Sequence, residues 1–590
     1  MPIAYDAPVD LMRLALAQAC STSGADAIDG YAETLSELAT PILESASRFA
    51  GEVLSPLNPI GDRQHSRCEP QGVVTPPGFP EAYRRFRQDG WVSLSAPVEY
   101  GGQGLPGVLS VATGEMWAGA NMAFAMCPEL AVGALEAMRV HAPEALRDAY
   151  MPLIASGEWT TSMCLTEPQA GSDLSTIRTR AEPDGEAWRL FGRKIYISWG
   201  DHDLADNIVH FVLARTPDAP PGTKGISLFL VPKKIRSADG KLTANDIHAV
   251  SVESKMGIRA SPTCVMALGE SAGARGWLIG KLHEGLACMF TIMNHMRIGV
   301  GTHSIGLAER GLQLARHYAR ERLQGRDQAG AQRPIIEHAD VRRMLLTMKS
   351  LTHAARCLTY TAAATVDVAH SAADEGARTA AARRAELLTP IVKAWVSDVG
   401  FEVASLGVQV HGGSGYIDDA EISQVFRDSR IGSIFEGTNY IQAQDLVGRK
   451  ILRDRGVTLG EFLADVEAAA HALPADSAHP LRPLREGLIE GCAEIRTLTA
   501  ALMKDAPADR ELVGCVAYDY LNCLGVLAGG WQWALAAAQA ISANTGNRSS
   551  LTLERTAAFY GARVLPRIKV YASAVRTGST PVTGVAISDL

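Results

Sequence analysis

The sequence predicts a multidomain α+β protein in which helical segments flank one β domain. Its 590 residues exceed what a single hydrophobic core usually supports, so several domains are expected. Between residues 161 and 282, short apolar runs such as GISLFLVPKK are separated by turns such as SADG, which is typical of a compact β domain. On both sides of this stretch, apolar residues recur with a helical period.

We therefore expect four domains, each assigned by its pattern. Residues 1–160 form an N-terminal helical domain and residues 161–282 the β domain. Residues 283–456 return to the helical period, and 457–590, which is rich in Ala and Leu, forms an appended helical domain.

This order of elements disfavours a dinucleotide-binding fold, which requires strands and helices to alternate. Residues 102–107 match G-x-G-x-x-G, but Pro106 lies inside the match and no hydrophobic strand precedes it. A tight surface loop is the better interpretation.

Composition excludes several classes of protein. A formal net charge of -8 is not that of a nucleic-acid binder. None of the 10 cysteines forms a C-x-x-C pair and no histidines cluster with metal spacing, so buried thiols in a reducing compartment and no metal site are predicted. The N-terminus is a poor signal peptide, which favours a cytoplasmic location.

The stretch 523–541 is long enough to span a bilayer. It contains Gln532, Gln539 and a pair of glycines, and it is rich in Ala rather than Leu or Ile. A buried helix of a soluble domain is therefore favoured over a membrane span, and we expect no membrane insertion.

Three polar segments are candidates for ligand binding, although each alone has a plain structural explanation. MCLTEPQAGSDLST, residues 163–176, offers hydroxyls and a close backbone approach through Gly171, or is only a polar turn. KIYISWG, residues 194–200, flanks a ring system or is only a core strand, and QVHGGSGY, residues 409–416, packs on a ligand or is only a glycine turn.

A fourth segment, FEGTNYIQ, contains the candidate catalytic carboxylate, Glu436. Ile434 and Phe435 precede it and a helix is predicted to follow, with Asn439 and Gln442 at capping-box spacing. In such an apolar setting desolvation would raise the pKa of a carboxyl toward neutrality, which suits a general base. A solvated loop glutamate is the alternative.

Taken together and in this order, the motifs resemble those of the acyl-CoA dehydrogenase family over residues of about 35–455. TEPQAGSD and FEGTNYIQ, roughly 270 residues apart with KMGIRASPTC and MNHMRIGV between them, are very specific. The run VVTPPGFPEAYRRFRQDGW and the appended domain resemble the long subfamily that includes 3-methylmercaptopropionyl-CoA dehydrogenases of dimethylsulfoniopropionate breakdown. The resemblance implies that the β domain is a β-barrel and that 283–456 is a four-helix bundle.

The resemblance also implies a role for each matching residue. Glu436 would be the catalytic base, with Arg297 on the substrate side and Asn294 near the CoA. The residues implied to bind FAD are Met163, Leu165, Thr166 and Ser172 at the flavin or pyrophosphate, Tyr196, Ile197 and Ser198 at the isoalloxazine ring, Arg322, Gln324, Gln409 and Gly413 at the FAD of a neighbouring subunit, and Thr438 at a phosphate.

Two positions depart from the family pattern, and one residue has a competing interpretation. Tyr440 replaces a glutamine that touches FAD, and Gly325 replaces the usual aromatic residue of the dimer-side loop. An arginine on a helix often extends to solvent, but Arg297 shares a helix face with Met289 and Met293, which places it inward.

The implied activity is α,β-dehydrogenation of an acyl-CoA thioester with FAD as cofactor and electron-transfer flavoprotein as acceptor. Two alternatives remain: a flavin oxidase or monooxygenase on the same fold, and a non-catalytic acyl-CoA-binding or assembly protein. The acyl group stays open between 3-methylmercaptopropionyl and short- or medium-chain acyl-CoA, and bulkier aromatic or branched groups also remain. Met122 and Met126 lie near the pocket floor by resemblance, or pack as ordinary core residues. A homodimer is favoured, because the appended domain could cover a surface that tetrameric relatives use.

Overall fold

The computed structural model describes residues 3–237, 239–326, 328–542 and 548–590. Its helices are α1 Val9–Thr22, α2 Tyr31–Phe49, α3 Asn58–Gln64, α4 Phe79–Gln88, α5 Gly107–His141, α6 Glu144–Ala155, α7 Gly285–Glu321, α8 Ala339–Ser371, α9 Glu375–Ile391, α10 Ser397–His411, α11 Glu421–Ser429, α12 Asn439–Gln444, α13 Val457–His471, α14 Arg482–Asp505, α15 Leu512–Ser542, α16 Arg548–Arg563, α17 Arg567–Arg576 and α18 Thr580–Thr583. The strands are β1 Arg67–Glu69, β2 Gly72–Val74, β3 Trp159–Cys164, β4 Arg180–Asp184, β5 Ala187–Ser198, β6 Asn207–Arg215, β7 Ile226–Pro232, β8 Lys234–Arg236, β9 Leu242–Ala244, β10 Ile247–Val252, β11 Thr263–Leu268, β12 Ala274–Ile279, β13 Leu323–Arg326 and β14 Gln332–Pro334.

The chain divides into two compact units. The helical unit consists of Met1–Ile3, Pro8–Glu44 and Val300–Leu590, and the β-containing unit consists of Ala4–Ala7 and Ser45–Gly299. The order of helical, β and helical segments agrees with the predicted α+β fold class. The bounds of the four predicted domains stay a prediction.

The β-containing unit is built on a mixed sheet of eight strands. β5, β12, β7 and β6 pair in sequence, and β4 pairs with both β5 and β6, so these five strands close into a barrel. Along one edge, the long β5 pairs with two strands: residues 188–190 pair with β12 and residues 192–198 pair with β11. The change occurs at Gly192, where a Cβ would lie 2.5 Å from the Thr179 hydroxyl. The predicted β-barrel is therefore present.

Helix α5, in the same unit, is interrupted at Asn121, whose φ of -163° and ψ of 88° are extended rather than helical. The Asn121 Oδ1 accepts a hydrogen bond from the Phe124 N–H at 3.1 Å, as a helix N-cap does. Helix α5 is therefore two helical segments joined at a kink, and the second begins with the buried Met122 and includes the buried Met126.

In the helical unit, one continuous hydrophobic core joins residues on both sides of the predicted boundary at 456/457. Leu351 of α8, Leu388 of α9 and Val396 belong to the same core as Leu524 and Trp533 of α15. The Trp533 indole N–H donates to the Ser350 carbonyl at 3.0 Å. The appended helices therefore share their core with the bundle that precedes them.

Two helices, α5 and α15, are long and apolar enough to cross a membrane, among the residues that the structure describes. In their most apolar windows, 89% and 72% of residues are buried inside the protein, as in core helices of soluble proteins. The stretch 523–541, considered above as a possible span, lies within α15.

Candidate active site

The turn after β3 is anchored by a buried ion pair. Lys194, which is fully buried on β5, donates from Nζ to the Leu165 carbonyl and to Glu167 Oε1, both at 2.9 Å. The Thr166 carbonyl accepts from the Ile195 N–H at 2.9 Å. These bonds hold the Leu165–Thr166 backbone against β5, so two predicted FAD-binding residues have a fixed position.

Both carboxylate oxygens of Glu167 accept further hydrogen bonds. Its Oε1 also accepts from the Thr179 hydroxyl at 2.6 Å, and its Oε2 accepts from the Arg178 N–H at 2.7 Å. Burial alone would raise the pKa of this carboxyl, but the Lys194 ammonium and the donors of Thr179 and Arg178 outweigh it and lower the pKa to about 2. Sequence reasoning missed this pair, because Glu167 and Lys194 are 27 residues apart and no local period relates them.

Tyr196 lies at a β-bulge rather than in a regular strand. On β11, Cys264 pairs with Ile197 and Met266 pairs with Lys194, so one residue of β11 faces two residues of β5. Tyr196 has φ of 60°, in the left-handed region, and its side chain is 61% exposed. Tyr196 therefore interrupts the regular core strand that is one interpretation of residues 194–200. A strained residue that presents an aromatic ring to solvent is the kind of feature that occurs at ligand sites.

The other predicted residues of this unit's first motif differ in exposure. Met163 is half-buried in β3 and pairs with Phe211 of β6. Ser172 is exposed in the turn that follows, where Asp173 accepts from the Ser175 N–H at 2.8 Å and so caps a short helix as expected.

Arg297 of α7 points inward, as its alignment with Met289 predicts. It is 7% exposed, and its guanidinium donates to Asn294 Oδ1 at 3.0 Å. The guanidinium also lies 5.7 Å from the centre of the Phe290 ring. The two predicted substrate-side residues are thus in direct contact with each other.

Glu436 is half-buried and has φ of 55°, and Gly437 follows with φ of 81°. Two consecutive left-handed residues turn the chain sharply, so the backbone forms a tight loop at Glu436 before the next helix begins. The Glu436 carbonyl accepts from Gln442 Nε2 at 3.3 Å. The expected enclosure by hydrophobic neighbours is only partial, since the Ile434 side chain is 49% exposed.

The capping box predicted for Asn439 and Gln442 is wrong. The N-cap of α12 is Thr438, whose hydroxyl accepts from the Ile441 N–H at 3.2 Å. Asn439 is the first helical residue and points into the protein, while Gln442 reaches back to the Glu436 carbonyl. Thr438 thus caps the helix that supports the loop of Glu436.

Asn439 is the centre of a buried polar cluster that the sequence did not indicate. Its Oδ1 accepts from Lys393 Nζ at 2.8 Å, and its Nδ2 donates to the Ser397 hydroxyl at 3.0 Å and to Asp398 Oδ1 at 2.8 Å. Burial raises the pKa of the Asp398 carboxyl, although hydrogen bonds from Tyr518 and Asn439 oppose the rise. The three partners come from a π-helical turn, Val392–Val396, and the start of α10.

A second group of predicted residues gathers around Tyr318, near the end of α7. The Tyr318 carbonyl accepts from the Arg322 N–H at 2.9 Å, and its ring stacks on His411 with centres 4.4 Å apart. This stacking brings the β13–β14 hairpin, with Arg322 and Gln324, to the glycine turn at the end of α10.

All four predicted residues of this group, Arg322, Gln324, Gln409 and Gly413, are exposed. A Cβ added at Gly413 would meet no atom within 4 Å, so this backbone is open to a ligand or a partner. Within the described residues no group of three or more His, Cys, Asp or Glu side chains could hold a metal ion.

Comparison with known proteins identifies the family. Models of the acyl-CoA dehydrogenase N-terminal, middle and C-terminal domains match residues 37–158, 162–270 and 283–452. A model described as acetyl-CoA dehydrogenase C-terminal like matches residues 460–586, which cover most of the appended helices.

Two relatives match along nearly the whole chain. The 3-methylmercaptopropionyl-CoA dehydrogenase of Ruegeria pomeroyi is 42% identical over 90% of this chain and 91% of its own length. The broad-specificity linear acyl-CoA dehydrogenase FadE5 of Mycobacterium tuberculosis is 32% identical over 90% of each chain.

The fold agrees with these matches. An acyl-CoA dehydrogenase from Bacillus anthracis, solved in complex with FAD, superimposes with a TM-score of 0.75 over 93% of this chain and 90% of its own, at 23% identity. The predicted enzyme class and cofactor are thus confirmed. The chain belongs to the acyl-CoA dehydrogenase family, FAD-dependent oxidoreductases that act on a carbon–carbon single bond.

Proposed function

We propose that this enzyme oxidises a short linear acyl-CoA, with 3-methylmercaptopropionyl-CoA as the candidate substrate, and that Glu436 is the base. The observation that carries the assignment of the base is the loop of Glu436. Two left-handed residues, a capped helix and the Gln442 contact fix the backbone of Glu436, whose side chain is half-buried. A base must be held within hydrogen-bond reach of the proton that it removes, and this loop is built to hold one.

In the proposed reaction Glu436 removes a proton from the carbon next to the thioester carbonyl. That proton is a very weak acid, so the negative charge that develops on the thioester oxygen must be stabilised by hydrogen-bond donors. We assign the Glu436 backbone N–H as one of these donors, as the family resemblance implies. FAD, when bound, would supply the hydride acceptor for the neighbouring carbon and a second hydrogen-bond donor.

The residues assigned to FAD suit a flat ring and a pyrophosphate. Tyr196 offers an exposed aromatic ring, and Ser198 and Thr166 offer a hydroxyl each beside it in the same unit. We assign Met163, Leu165, Ile197 and Ser172 to the same cofactor and Thr438 to one of its phosphates. Electron-transfer flavoprotein is the proposed electron acceptor of the enzyme.

Arg322, Gln324, Gln409 and Gly413 are assigned to the FAD of a second copy of the chain. They are exposed, and the Tyr318–His411 stacking joins the two segments that contain them. The proposed assembly is a homodimer in the cytoplasm.

The substrate assignment follows the names of the two relatives and the residues of α5 and α7. Arg297 and Asn294 are assigned to the thioester and CoA side, where a buried guanidinium can face an anionic group. Met122 and Met126, buried just after the kink of α5, are assigned to the floor of the acyl pocket. Unbranched thioether side chains adapt to a linear chain that itself contains sulfur.

The test of the base is Glu436→Gln. The variant is expected to bind FAD like the wild type, but 3-methylmercaptopropionyl-CoA should no longer bleach its flavin absorbance. Glu461→Gln, an exposed glutamate of α13, is the matched control and should bleach normally. Bleaching by Glu436→Gln at the wild-type rate would assign the base elsewhere.

The substrate assignment is tested by turnover with a panel of linear acyl-CoA thioesters of increasing length and 3-methylmercaptopropionyl-CoA. The highest kcat/KM is expected for 3-methylmercaptopropionyl-CoA or for a linear acyl-CoA of similar length. A maximum of kcat/KM at long or branched chains would contradict the substrate assignment, but it would leave the assignment of Glu436 as the base unaffected.

A further inference from the structure

Helix α15 of the appended region makes a direct polar contact with the bundle close to the loop of Glu436. The Tyr518 hydroxyl donates to Asp398 Oδ2 at 2.7 Å. Tyr518 lies on the first half of α15, and Asp398 is the second residue of α10. The contact is therefore made by residues 120 positions apart in the chain.

Asp398 transmits this contact to α12. While Oδ2 accepts from Tyr518, Oδ1 accepts from Asn439 Nδ2 at 2.8 Å, so the two oxygens of one carboxylate connect α15 to the first residue of α12. Asn439 is almost completely buried and Lys393 approaches its Oδ1, so its side chain is held from both ends. A buried amide whose donor and acceptor are both engaged has little freedom to turn.

Helix α12 in turn holds the base. Asn439 anchors its first residue, and one turn later Gln442 donates to the Glu436 carbonyl. A Cβ at Gly437 would lie 2.7 Å from Gln442 Nε2, so there is no spare room between the helix and the loop. A shift of Asn439 would move α12 and with it the backbone of Glu436.

Two further contacts show that α15 is fitted closely to this part of the bundle. Added Cβ atoms at Gly525 and Gly529 would lie 2.2 Å and 2.8 Å from ring atoms of Trp395, which belongs to the same π-helical turn as Lys393. The Tyr440 hydroxyl lies 3.2 Å from the position of a Cβ at Gly514. At Gly525 and Gly529 only glycine allows so close an approach.

The groups around Asp398 offset the effect of burial on its carboxylate. Burial disfavours the carboxylate, and the groups that oppose this are Tyr518, Asn439, Lys393 and Arg430, while Tyr571 of α17 also lies within electrostatic range. Without the Tyr518 hydroxyl, one oxygen of a half-buried carboxylate loses its protein donor, and only water can replace it.

We propose that Tyr518 of the appended region is a positioning residue for the base, acting through Asp398 and Asn439 to set the orientation of the Glu436 loop. The proposal rests on the assignment of Glu436 as the base. It gives the appended region a role in the rate of the reaction in addition to its share of the hydrophobic core.

The test is Tyr518→Phe in the full-length holoenzyme. We expect kcat for flavin bleaching to fall about 10-fold, the equivalent of one hydrogen bond to a charged group, with KM and bound FAD unchanged. A purely structural role would lower stability and FAD content together and leave the kcat of the remaining holoenzyme unchanged. An unchanged kcat per bound FAD therefore overturns the proposal.

Tyr560→Phe is the matched control, because the Tyr560 hydroxyl donates to the Val526 carbonyl at 2.9 Å wholly within the appended region. It should lower the melting temperature at least as much as Tyr518→Phe does, yet leave kcat unchanged. If both variants slow bleaching equally, general loosening of the appended region is the cause and the proposal fails.

A double-mutant cycle with Asp398→Asn tests the route. If Tyr518 acts through Asp398, the double variant is no slower than Asp398→Asn alone, whereas independent effects would multiply. If the effects of the two substitutions on kcat multiply, the proposal that Tyr518 acts through Asp398 is overturned. Glu436→Gln distinguishes a failure of the base assignment from a failure of the positioning role. If the flavin of Glu436→Gln still bleaches, the assignment of the base fails. If it does not bleach, but Tyr518→Phe bleaches at the wild-type rate, only the positioning role of Tyr518 fails.

Discussion

Breaking the buried Glu167–Lys194 pair should cost more stability than any exposed ion pair of this chain. In Glu167→Gln, Lys194 keeps the Leu165 carbonyl and a neutral amide oxygen as acceptors but loses its counter-charge, although its ammonium remains fully buried. Removing one partner of a buried pair typically costs about 3–5 kcal/mol, because the other charge stays uncompensated. A second argument gives a similar figure: lowering the pKa of Glu167 from 4.5 to about 2 corresponds to about 3 kcal/mol.

The contribution of Glu167 to the stability of the protein should fall as the pH falls. Since the folded-state pKa of Glu167 is depressed, its stabilisation is fully present above the unfolded value near 4.5 and is lost as the pH falls toward 2. The stability difference between wild type and Glu167→Gln should therefore be largest at neutral pH and shrink between pH 4.5 and 2.

The assay is urea unfolding of the two proteins at several pH values, with FAD retention measured in parallel. Because the pair holds Leu165 and Thr166, the variant should also release FAD more readily. Glu270→Gln is the control: its partner Arg193 neighbours Lys194 on β5, but that pair is exposed, and its loss should cost less than about 1 kcal/mol. A Glu167→Gln protein as stable as Glu270→Gln at neutral pH, or a difference that does not change with pH, would refute the reasoning.

Two other variants test the loop of Glu436 and the exposed residues near Tyr318. Gly437→Ala places a methyl group 2.7 Å from Gln442 Nε2 at a residue with φ of 81°, so bleaching should slow at least about 10-fold while bound FAD changes little; normal bleaching would show that the loop tolerates another shape. Arg322→Ala removes an exposed guanidinium assigned to a neighbouring FAD, so FAD affinity should fall several-fold while the mass in solution stays that of the proposed dimer, and wild-type affinity would contradict this assignment.

Several elements could be predicted because their signals are local. The apolar runs between Pro and Gly turns predicted the β domain, and the alignment of Met289 with Arg297 predicted correctly that Arg297 points inward. The interruption of α5 was not predictable in the same way, because Asn121 lies inside an apolar helical stretch, where its side chain accepts from the Phe124 N–H and donates to the distant Leu54 carbonyl.

Tyr196 and Asn439 show why local reasoning fails near the proposed site. Alternation along β5 predicts a regular strand, but pairing with β11 inserts an extra residue and turns Tyr196 into a left-handed conformation. Spacing predicts that Asn439 is the N-cap of a helix. Its side chain instead hydrogen-bonds to Lys393 and Asp398 inside the protein. Thr438 is the N-cap. In both cases a distant segment outcompetes the local preference.

The amino-acid sequence alone determined the family, the order of the domains and the identity of the proposed base, because those signals consist of residue types at fixed short spacing. Tertiary structure alone decided which side chains support them: the lysine behind Glu167, the carboxylate behind Asn439, and the tyrosine of an appended helix behind that carboxylate. The physical reason is that a buried charge or amide is stable only beside its complement, and the chain brings that complement from dozens of residues away, where no sequence period reaches.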